Sequence, residues 1–402
     1  DETDAVFGEL YSWYLRNPEY RSRVQKLVQS AFAGKPKDII SQSVAKALYG
    51  EVSPYSATRL ERFAACAFAH FLQYGMKLTE RVEYEFKPMD MGNVMHEALE
   101  SFAEEVRKKG MKWTELTEQE RNEIADRCLD NIVADYGNTV LKSSARNEYM
   151  IERTRRILRR TVWALQKQLE QGEFQPEGFE VTFGGGRIDR VDIMEDQNKV
   201  YVKVIDYKTG NTSFDLVYLY HGLQLQLIIY LDGALRVEQK KYPDKEIIPA
   251  GVFYYNIKDP MIQEKIDADV EAVSAGLMKE LKMNGLVQAD PELVYRMDSS
   301  LGSIPVAFNK DGSFRKNSSV ADRTQFAVLG RYVRTKIEKI RSSILEGDAE
   351  VSPYELGKKN ACTYCPYMTV CGFDRRLSGY EFRRLKNFSD EELWKAFDRE
   401  AE

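Results

Sequence analysis

The sequence lacks the segments that would direct a protein into or across a membrane. No stretch approaches the roughly 18 consecutive apolar residues of a membrane span, and no signal peptide is visible. We therefore expect a cytoplasmic protein with no membrane partner. The sequence also begins Asp-Glu-Thr-Asp without an initiator Met, so we expect it to be a piece of a longer chain.

The phosphate-binding loop of many ATPases is absent as well. That loop has the pattern Gly-x-x-x-x-Gly-Lys-Ser/Thr, in which backbone N–H groups surround the phosphates of the nucleotide. No such run occurs in the sequence. We therefore expect the chain to have no ATPase activity of its own.

The sequence also lacks a net positive charge. Its formal charge at pH 7 is −5, whereas non-specific binding to nucleic acids depends on Lys and Arg side chains that neutralise phosphates. Local basic surface, or another subunit, must supply any such contact. One dense basic cluster lies in a predicted helix and could follow a nucleic-acid backbone, although a solvated charged face is the more frequent explanation. The cluster consists of Arg153, Arg155, Arg156, Arg159 and Arg160.

The composition is that of a globular protein with an ample core. Hydrophobic residues make up 43% and charged residues 30% of the 402 residues, a length that allows one large domain or two. Periodicity and breaking residues predict most of the elements. We predict helices within residues 1–50, a helix starting at Ser53, a strand at 179–183, one helix over 216–235, a strand at 248–260, a mobile insertion at 285–320, and helices at 322–345 and 390–401.

Two strand-like segments carry the clearest chemical pattern. Residues 186–192 read Gly-Arg-Ile-Asp-Arg-Val-Asp, and residues 202–210 read Val-Lys-Val-Ile-Asp-Tyr-Lys-Thr-Gly. Both are rich in β-branched or aromatic residues, and the polar run 195–199 between them favours a turn. We predict an antiparallel hairpin in which Asp206 and Lys208 project from the same face.

The charged residues of this hairpin predict a metal site. Asp189 lies on one strand, and Asp206 and Lys208 lie on the other. Two carboxylates and an ammonium are unfavourable to hold together unless something binds between them. Carboxylate oxygens suit Mg²⁺ or Mn²⁺, whose coordination is usually completed by substrate phosphate. A surface salt-bridge ladder gives the same letters in many proteins, so the pattern alone is a weak signal.

Three of the five cysteines form a second candidate site. Cys362, Cys365 and Cys371 have the spacing C-x2-C-x5-C, which indicates a metal site where disulfides are rare. Thiolates select zinc or iron–sulfur, and both normally need four ligands. Cys66 is the natural fourth ligand, whereas Cys128 lies in a helical stretch and is expected to be a buried small hydrophobe. The spacing leaves zinc and iron–sulfur equally open.

The wider sequence context resembles the RecB-type branch of the PD-(D/E)XK nuclease family. Four motifs occur in the expected order as GNVMHEALE, GRIDRVD, IDYKTG and QLIIY. The segment SATRLERFAACAFAHFLQYGMKL is similar to the start of the nuclease domain in iron–sulfur members, although Ala67 stands where the family commonly has Pro. The segment PAGVFYYNIKDP resembles the C-terminal nuclease domain of the AddB family, the iron–sulfur subunits of bacterial AddAB helicase–nucleases.

The resemblance implies an α/β fold with a restriction-endonuclease-like core. A small mixed sheet would be flanked by helices, with large helical insertions and a four-cysteine iron–sulfur clamp. Residues 1–50 would form a helical lead-in or the end of a preceding domain, and residues 51–402 the nuclease domain. The glycines at 184–186 are fewer residues than the loop and strand that the family usually places there. The resemblance also implies a [4Fe–4S] cluster with a structural role, held by Cys66, Cys362, Cys365 and Cys371.

The resemblance further assigns site residues. His96, Asp189, Asp206 and the backbone carbonyl of Tyr207 would hold Mg²⁺ or Mn²⁺, and Lys208 would position or help deprotonate the attacking water. A lone His on a helix is more often structural, but His96 matches the motif, whereas His70 and His221 do not. Gln226 and Tyr230 match the Gln-x-x-x-Tyr motif beside the metal. Gln224 is a competing register, but its i+4 partner is Ile228.

The implied activity is that of a metal-dependent DNA exonuclease. It would cleave single-stranded DNA leaving a helicase, most often the 5′-ended strand, in the repair of double-strand breaks by recombination. The implied partner is an AddA-like helicase subunit in a heterodimer. Two alternatives are an iron–sulfur exonuclease like those of CRISPR adaptation, which are about half as long, and a non-catalytic DNA-binding or assembly module that keeps the nuclease fold.

Overall fold

A computed structural model of the chain describes residues 2–31, 39–50, 56–79, 88–135, 144–184, 186–262 and 269–401. Two compact units are distinguished within it. The first, here called the cysteine unit, comprises residues 1–50, 65–78 and 343–386; the second, the sheet unit, comprises 51–64, 79–342 and 387–402. The domain division predicted from the sequence stays a prediction. Within the described ranges, no helix has the length and apolar character needed to cross a membrane.

Helices occur in both units. They are α1 (Glu2–Arg16), α2 (Pro18–Ala31), α3 (Gln42–Tyr49), α4 (Ala57–Ala65), α5 (Ala67–His70), α6 (Pro88–Lys108), α7 (Glu118–Asp135), α8 (Ala145–Glu170), α9 (Leu216–Tyr220), α10 (Gln226–Lys241), α11 (Val270–Glu280), α12 (Pro291–Met297), α13 (Arg323–Glu346), α14 (Met368–Cys371) and α15 (Asp390–Ala401). A π-helical turn follows α5 at Phe71–Gly75, and a 3₁₀ turn lies at Trp113–Glu115.

The sheet unit contains a six-stranded mixed sheet in chain order. Its strands are β1 (Gln175–Phe183), β2 (Gly186–Asp196), β3 (Lys199–Lys208), β4 (Glu246–Asn256), β5 (Asn284–Gln288) and β6 (Val320–Ala321). The pairs β3–β4 and β5–β6 are parallel, and the other neighbours are antiparallel. The parallel step from β3 to β4 needs a crossover, which α9 and α10 supply. The predicted hairpin and α/β fold class are confirmed.

The cysteine unit contains a small sheet of its own. Its strands are β7 (Tyr354–Leu356), β8 (Lys359–Asn360) and β9 (Arg383–Arg384), in the order β8-β7-β9. The pair β7–β8 is antiparallel and the pair β7–β9 is parallel. Helices α1 to α3 cover much of residues 1–50, as predicted.

Alternation along β3 sends successive side chains to opposite faces of the large sheet. Ile205 and Tyr207 belong to a buried apolar cluster that includes residues of α6, α7 and α8. Asp206 and Lys208 face the other way, where Lys208 reaches the first residue of α10. One short strand segment therefore contacts elements from both sides.

Two predicted elements are wrong. The helix expected over 216–235 is interrupted between α9 and α10, because Gly222 adopts a φ of +78° that ends α9. The segment 285–320, expected to be a mobile insertion, instead adds β5 and α12 to the sheet unit. Ile304 and Val306 of this segment are buried in the core, which explains why it is packed. The predicted helix start at Ser53 and the middle glycine at 184–186 lie outside the described residues.

A buried ionic triad lies within β2 and β3. The guanidinium of Arg190 donates two hydrogen bonds to Asp192, at 2.6 and 2.9 Å, and the ammonium of Lys203 lies 2.9 Å from the same carboxylate. Asp192 is 0% exposed. Burial alone would raise the pKa of Asp192, but Arg190 and Lys203 outweigh burial and hold its pKa below the usual range.

Replacing Asp192 with Ala leaves the buried cations Arg190 and Lys203 without their carboxylate. We expect the free energy of unfolding to fall by about 3–5 kcal/mol, the effect of breaking a buried ion pair from one side. Urea unfolding followed by circular dichroism measures the loss. The control is Glu391→Ala, which removes an exposed pair with Lys395 and should change stability little. Similar losses for both variants would contradict a stabilising triad.

Candidate active site

Two carboxylates lie side by side at one end of the hairpin. The register of β2 and β3 pairs Arg190 with Ile205. Asp189 and Asp206 are the next residues outward, so they stand opposite each other. Asp189 accepts a hydrogen bond from the backbone N–H of Tyr207 at 2.7 Å. Burial, together with the charge of Asp189, raises the pKa of Asp206 to about 7.

The ammonium of Lys208 lies beside Asp206. Its Nζ is 2.6 Å from Asp206 Oδ2 and donates a hydrogen bond to Gln226 Oε1 at 2.8 Å. The amide of Gln226 in turn donates to the hydroxyl of Tyr230 at 2.9 Å. The structure therefore brings four residues singled out from the sequence into one hydrogen-bonded chain. Gln224 is not part of it, because its side chain bonds the backbone of the loop before α9.

His96 approaches the same carboxylates from α6. Its Nδ1 is 3.4 Å from Asp189 Oδ1, and its Nε2 is 3.1 Å from the carbonyl oxygen of Tyr207. Burial alone lowers the pKa of His96, but contacts with Asp189 and Glu180 outweigh burial and raise it to about 10. The imidazole and the Tyr207 carbonyl, both predicted as metal ligands, therefore lie together beside Asp189.

A third carboxylate, Glu180 of β1, was not predicted from the sequence. Its Oε1 is 3.7 Å from Nδ1 of His96, and one ligand atom from each of Glu180, His96 and Asp189 lies within 4.8 Å of the others. Carboxylate oxygens with an imidazole nitrogen can hold Mg²⁺ or Mn²⁺. A signal was present in the sequence, since Glu180 is the charged residue within the predicted strand 179–183.

The four predicted cluster ligands line one cavity in the cysteine unit. Cys66 comes from residues 65–78, and Cys362, Cys365 and Cys371 come from residues 343–386. Burial, followed by the neighbouring thiols, raises the pKa of Cys362 to about 11. Cys128 is fully buried in the core cluster of the sheet unit, as expected of a small hydrophobe. Four thiols around one cavity fit a thiolate-bound metal centre.

The arginine cluster of α8 is largely paired with acidic residues. Arg155 and Arg159 contact Asp126, and Arg156 contacts Asp259. These pairs support the solvated charged face as the explanation of the cluster. The two remaining histidines lie among aromatic rings, His70 in the cysteine unit and His221 in the sheet unit.

Comparisons with known proteins agree with the motifs. The model of the PD-(D/E)XK nuclease superfamily matches residues 54–372. Curated relatives, named as the AddB subunits of ATP-dependent helicase/deoxyribonucleases, are 41% identical in Lachnoclostridium phytofermentans and 34% identical in Thermoanaerobacter sp. (strain X514), each over 100% of this chain. The relative of the same name in Alkaliphilus metalliredigens is 34% identical over 99% of the chain. The chain spans only 36% or 37% of the length of these relatives.

Glu180→Gln tests the three-residue metal site. Replacing this carboxylate with a neutral amide removes one charged oxygen donor, so the affinity for Mn²⁺ should fall about 10-fold or more. Isothermal titration calorimetry without DNA measures the affinity directly. The matched control is Glu177→Gln on the same strand, because Glu177 pairs with Lys241 at 2.8 Å rather than with His96. Unchanged affinity in Glu180→Gln would remove Glu180 from the ligand set.

Cys365→Ser tests the cysteine site. We expect the anaerobically purified chain to contain bound metal and this variant to lose most of it, because a four-thiolate centre is left with three thiolates. Metal analysis separates iron from zinc, and absorbance near roughly 400 nm marks an iron–sulfur cluster. Cys128→Ala, which changes the cysteine buried in α7, should keep the metal. A metal-free wild-type chain would contradict this site.

Proposed function

Because the chain belongs to the PD-(D/E)XK nuclease superfamily, we propose that it is a metal-dependent DNA exonuclease domain. The observation that carries this proposal is the grouping at one end of the hairpin, where Asp189 and Asp206 stand opposite each other and Lys208 lies 2.6 Å from Asp206. Two acids and a lysine on adjacent strands are the groups that metal-assisted phosphodiester hydrolysis requires.

The donor set supports a hard divalent cation. We assign His96, Asp189, Asp206 and the Tyr207 carbonyl as ligands of Mg²⁺ or Mn²⁺, with Glu180 as a further carboxylate. The contacts of His96 with Asp189 and Tyr207 support this assignment. When bound, such an ion lowers the pKa of a water molecule and offsets negative charge on the scissile phosphate.

The role of Lys208 follows from its contacts. Its ammonium is held between Asp206 and Gln226 at 2.6 and 2.8 Å, so it has one defined position at the site. From that position it orients the attacking water, helps to remove its proton and offsets charge on the phosphate. Gln226 and Tyr230 keep Lys208 aligned through their own hydrogen bond.

The cysteine site has a structural role in this proposal. Cys66, Cys362, Cys365 and Cys371 would hold a [4Fe–4S] cluster, which the resemblance to iron–sulfur nucleases favours over zinc. The placement of all four thiols around one cavity supports a shared centre. Such a centre would tie together segments of the cysteine unit that are far apart in sequence, with no redox chemistry required.

The biological setting extends the proposal to the longer protein. The relatives are named as subunits of an ATP-dependent helicase/deoxyribonuclease, and this name supports a helicase–nuclease complex. We propose an AddA-like helicase subunit as the heterodimer partner, which would deliver single-stranded DNA from a duplex end in the cytoplasm. The substrate is the 5′-ended strand, and the process is recombinational repair of double-strand breaks.

Asp206→Ala and Lys208→Ala test the nuclease directly. Each should lower the rate of cleavage of 5′-labelled single-stranded DNA in Mg²⁺ by about 100-fold or more, because the first removes a metal ligand and the second the group that orients the water. EDTA should stop cleavage by the wild-type chain. The control is Lys245→Ala, which changes a lysine paired with Glu195. Undiminished cleavage by either site variant would refute the assignment, and DNA binding without any cleavage by the wild type would favour the non-catalytic module.

A further inference from the structure

We propose that Glu61 of α4 positions Lys208 for catalysis by fixing the first turn of α10. The inference rests on the nuclease function proposed above. It gives a role to a carboxylate that lies outside the candidate metal site and matches no chemical motif identified in the sequence. Glu61 and α10 belong to the same compact unit.

Glu61 supplies the cap that α10 lacks locally. The N-cap residue of α10 is Leu225, whose side chain makes no capping hydrogen bond. The first N–H groups of a helix have no partners within the helix. Glu61 Oε1 accepts hydrogen bonds from the backbone N–H groups of Leu225 at 2.7 Å and Gln226 at 3.0 Å. Its negative charge also lies at the positive end of the helix dipole.

Other helices in the sheet unit are capped by a residue next to them. Asp215 accepts hydrogen bonds from the first N–H groups of α9, and Asp290 does so for α12. Such a local cap places a carboxylate at the helix end with little burial. In α10 the equivalent bonds come instead from a different helix, so the start of α10 is fixed to α4. This arrangement sets where the first residue of α10 lies.

That first residue is the one that holds Lys208. Gln226 accepts a hydrogen bond from Lys208 Nζ at 2.8 Å and donates one to Tyr230 at 2.9 Å. Glu61 therefore fixes the backbone of Gln226, while Tyr230 fixes the far end of its side chain. The amide oxygen that remains is directed at Lys208. Loss of Glu61 frees the backbone end of this chain of contacts.

The surroundings of Glu61 agree with a defined role inside the protein. Burial raises the pKa of Glu61 to about 7, and the two backbone N–H groups and Lys208 oppose that effect only in part. A carboxyl group buried in this way is unfavourable unless its hydrogen bonds are made. Here they are made by the helix that carries Gln226, which ties the position of the two residues together.

Three substitutions separate hydrogen bonding from charge and from folding. Glu61→Ala removes the acceptor, and Glu61→Asp withdraws it by one methylene. We expect both to lower kcat for cleavage of single-stranded DNA by about 10- to 100-fold, because a displacement of about 1 Å is enough for such a loss, with KM unchanged. Glu61→Gln keeps a carbonyl oxygen that accepts the same two bonds, so it should retain kcat within about threefold.

Two controls identify the route through Gln226. Asp290→Ala removes the cap of α12, whose bonds to Glu292 and Leu293 resemble those of Glu61, and should leave kcat unchanged. In a chain that already carries Gln226→Ala, adding Glu61→Ala should cost less than about twofold further, because residues that act through one another are not additive. Multiplying losses would show that Glu61 acts elsewhere.

A readout independent of cleavage completes the test. The side chain of Lys208 is 28% exposed, so its acetylation rate can be followed by mass spectrometry. We expect that rate to rise several-fold in Glu61→Ala and Glu61→Asp but not in Glu61→Gln. Wild-type kcat and acetylation in Glu61→Asp, or a loss in Glu61→Gln as large as in Glu61→Ala, would overturn the inference. If Glu61→Ala does not fold, the Asp and Gln variants decide; if the wild type cleaves no DNA, the proposed function fails while acetylation still tests the positioning.

Discussion

The structure depends on holding two carboxylates next to each other at the buried end of a hairpin. Asp189 and Asp206 stand opposite each other in β2 and β3, and like charges at such positions repel. Burial strengthens the repulsion because a low dielectric screens it poorly. The neighbouring cations offset it from two sides, with Lys208 beside Asp206 and His96 beside Asp189. These contacts therefore stabilise the hairpin as well as preparing its chemistry.

Local periodicity was enough to predict much of this arrangement. A period of two in β3 places Asp206 and Lys208 on one face and Tyr207 on the other, and the structure agrees. A period of nearly four in α10 places Gln226 and Tyr230 together, which selects the register that reaches Lys208. Both patterns are properties of a single element, so the sequence of that element is sufficient to predict them.

Contacts between distant elements were beyond such patterns. Glu180 comes from β1, and the sequence did not predict its meeting with His96 because that contact depends on how α6 packs against the sheet. Glu61 bonds residues 164 and 165 positions later in the chain. The continuous apolar run over 216–235 hid the break at Gly222, whose positive φ is a backbone property rather than a hydrophobic one. The residues missed were therefore those whose neighbours are set by tertiary packing.

The charge of the site explains how an acidic chain could act on DNA. Glu180, Asp189 and Asp206 supply up to three negative charges against two positive charges from Lys208 and protonated His96, so these side chains alone repel a phosphate. The arginines of α8 do not compensate, because acidic residues already pair with several of them. A bound divalent cation would reverse the sign of the local charge. Affinity for a phosphodiester is then set by metal occupancy at this point rather than by the net charge of −5, which reconciles the composition with the proposed substrate.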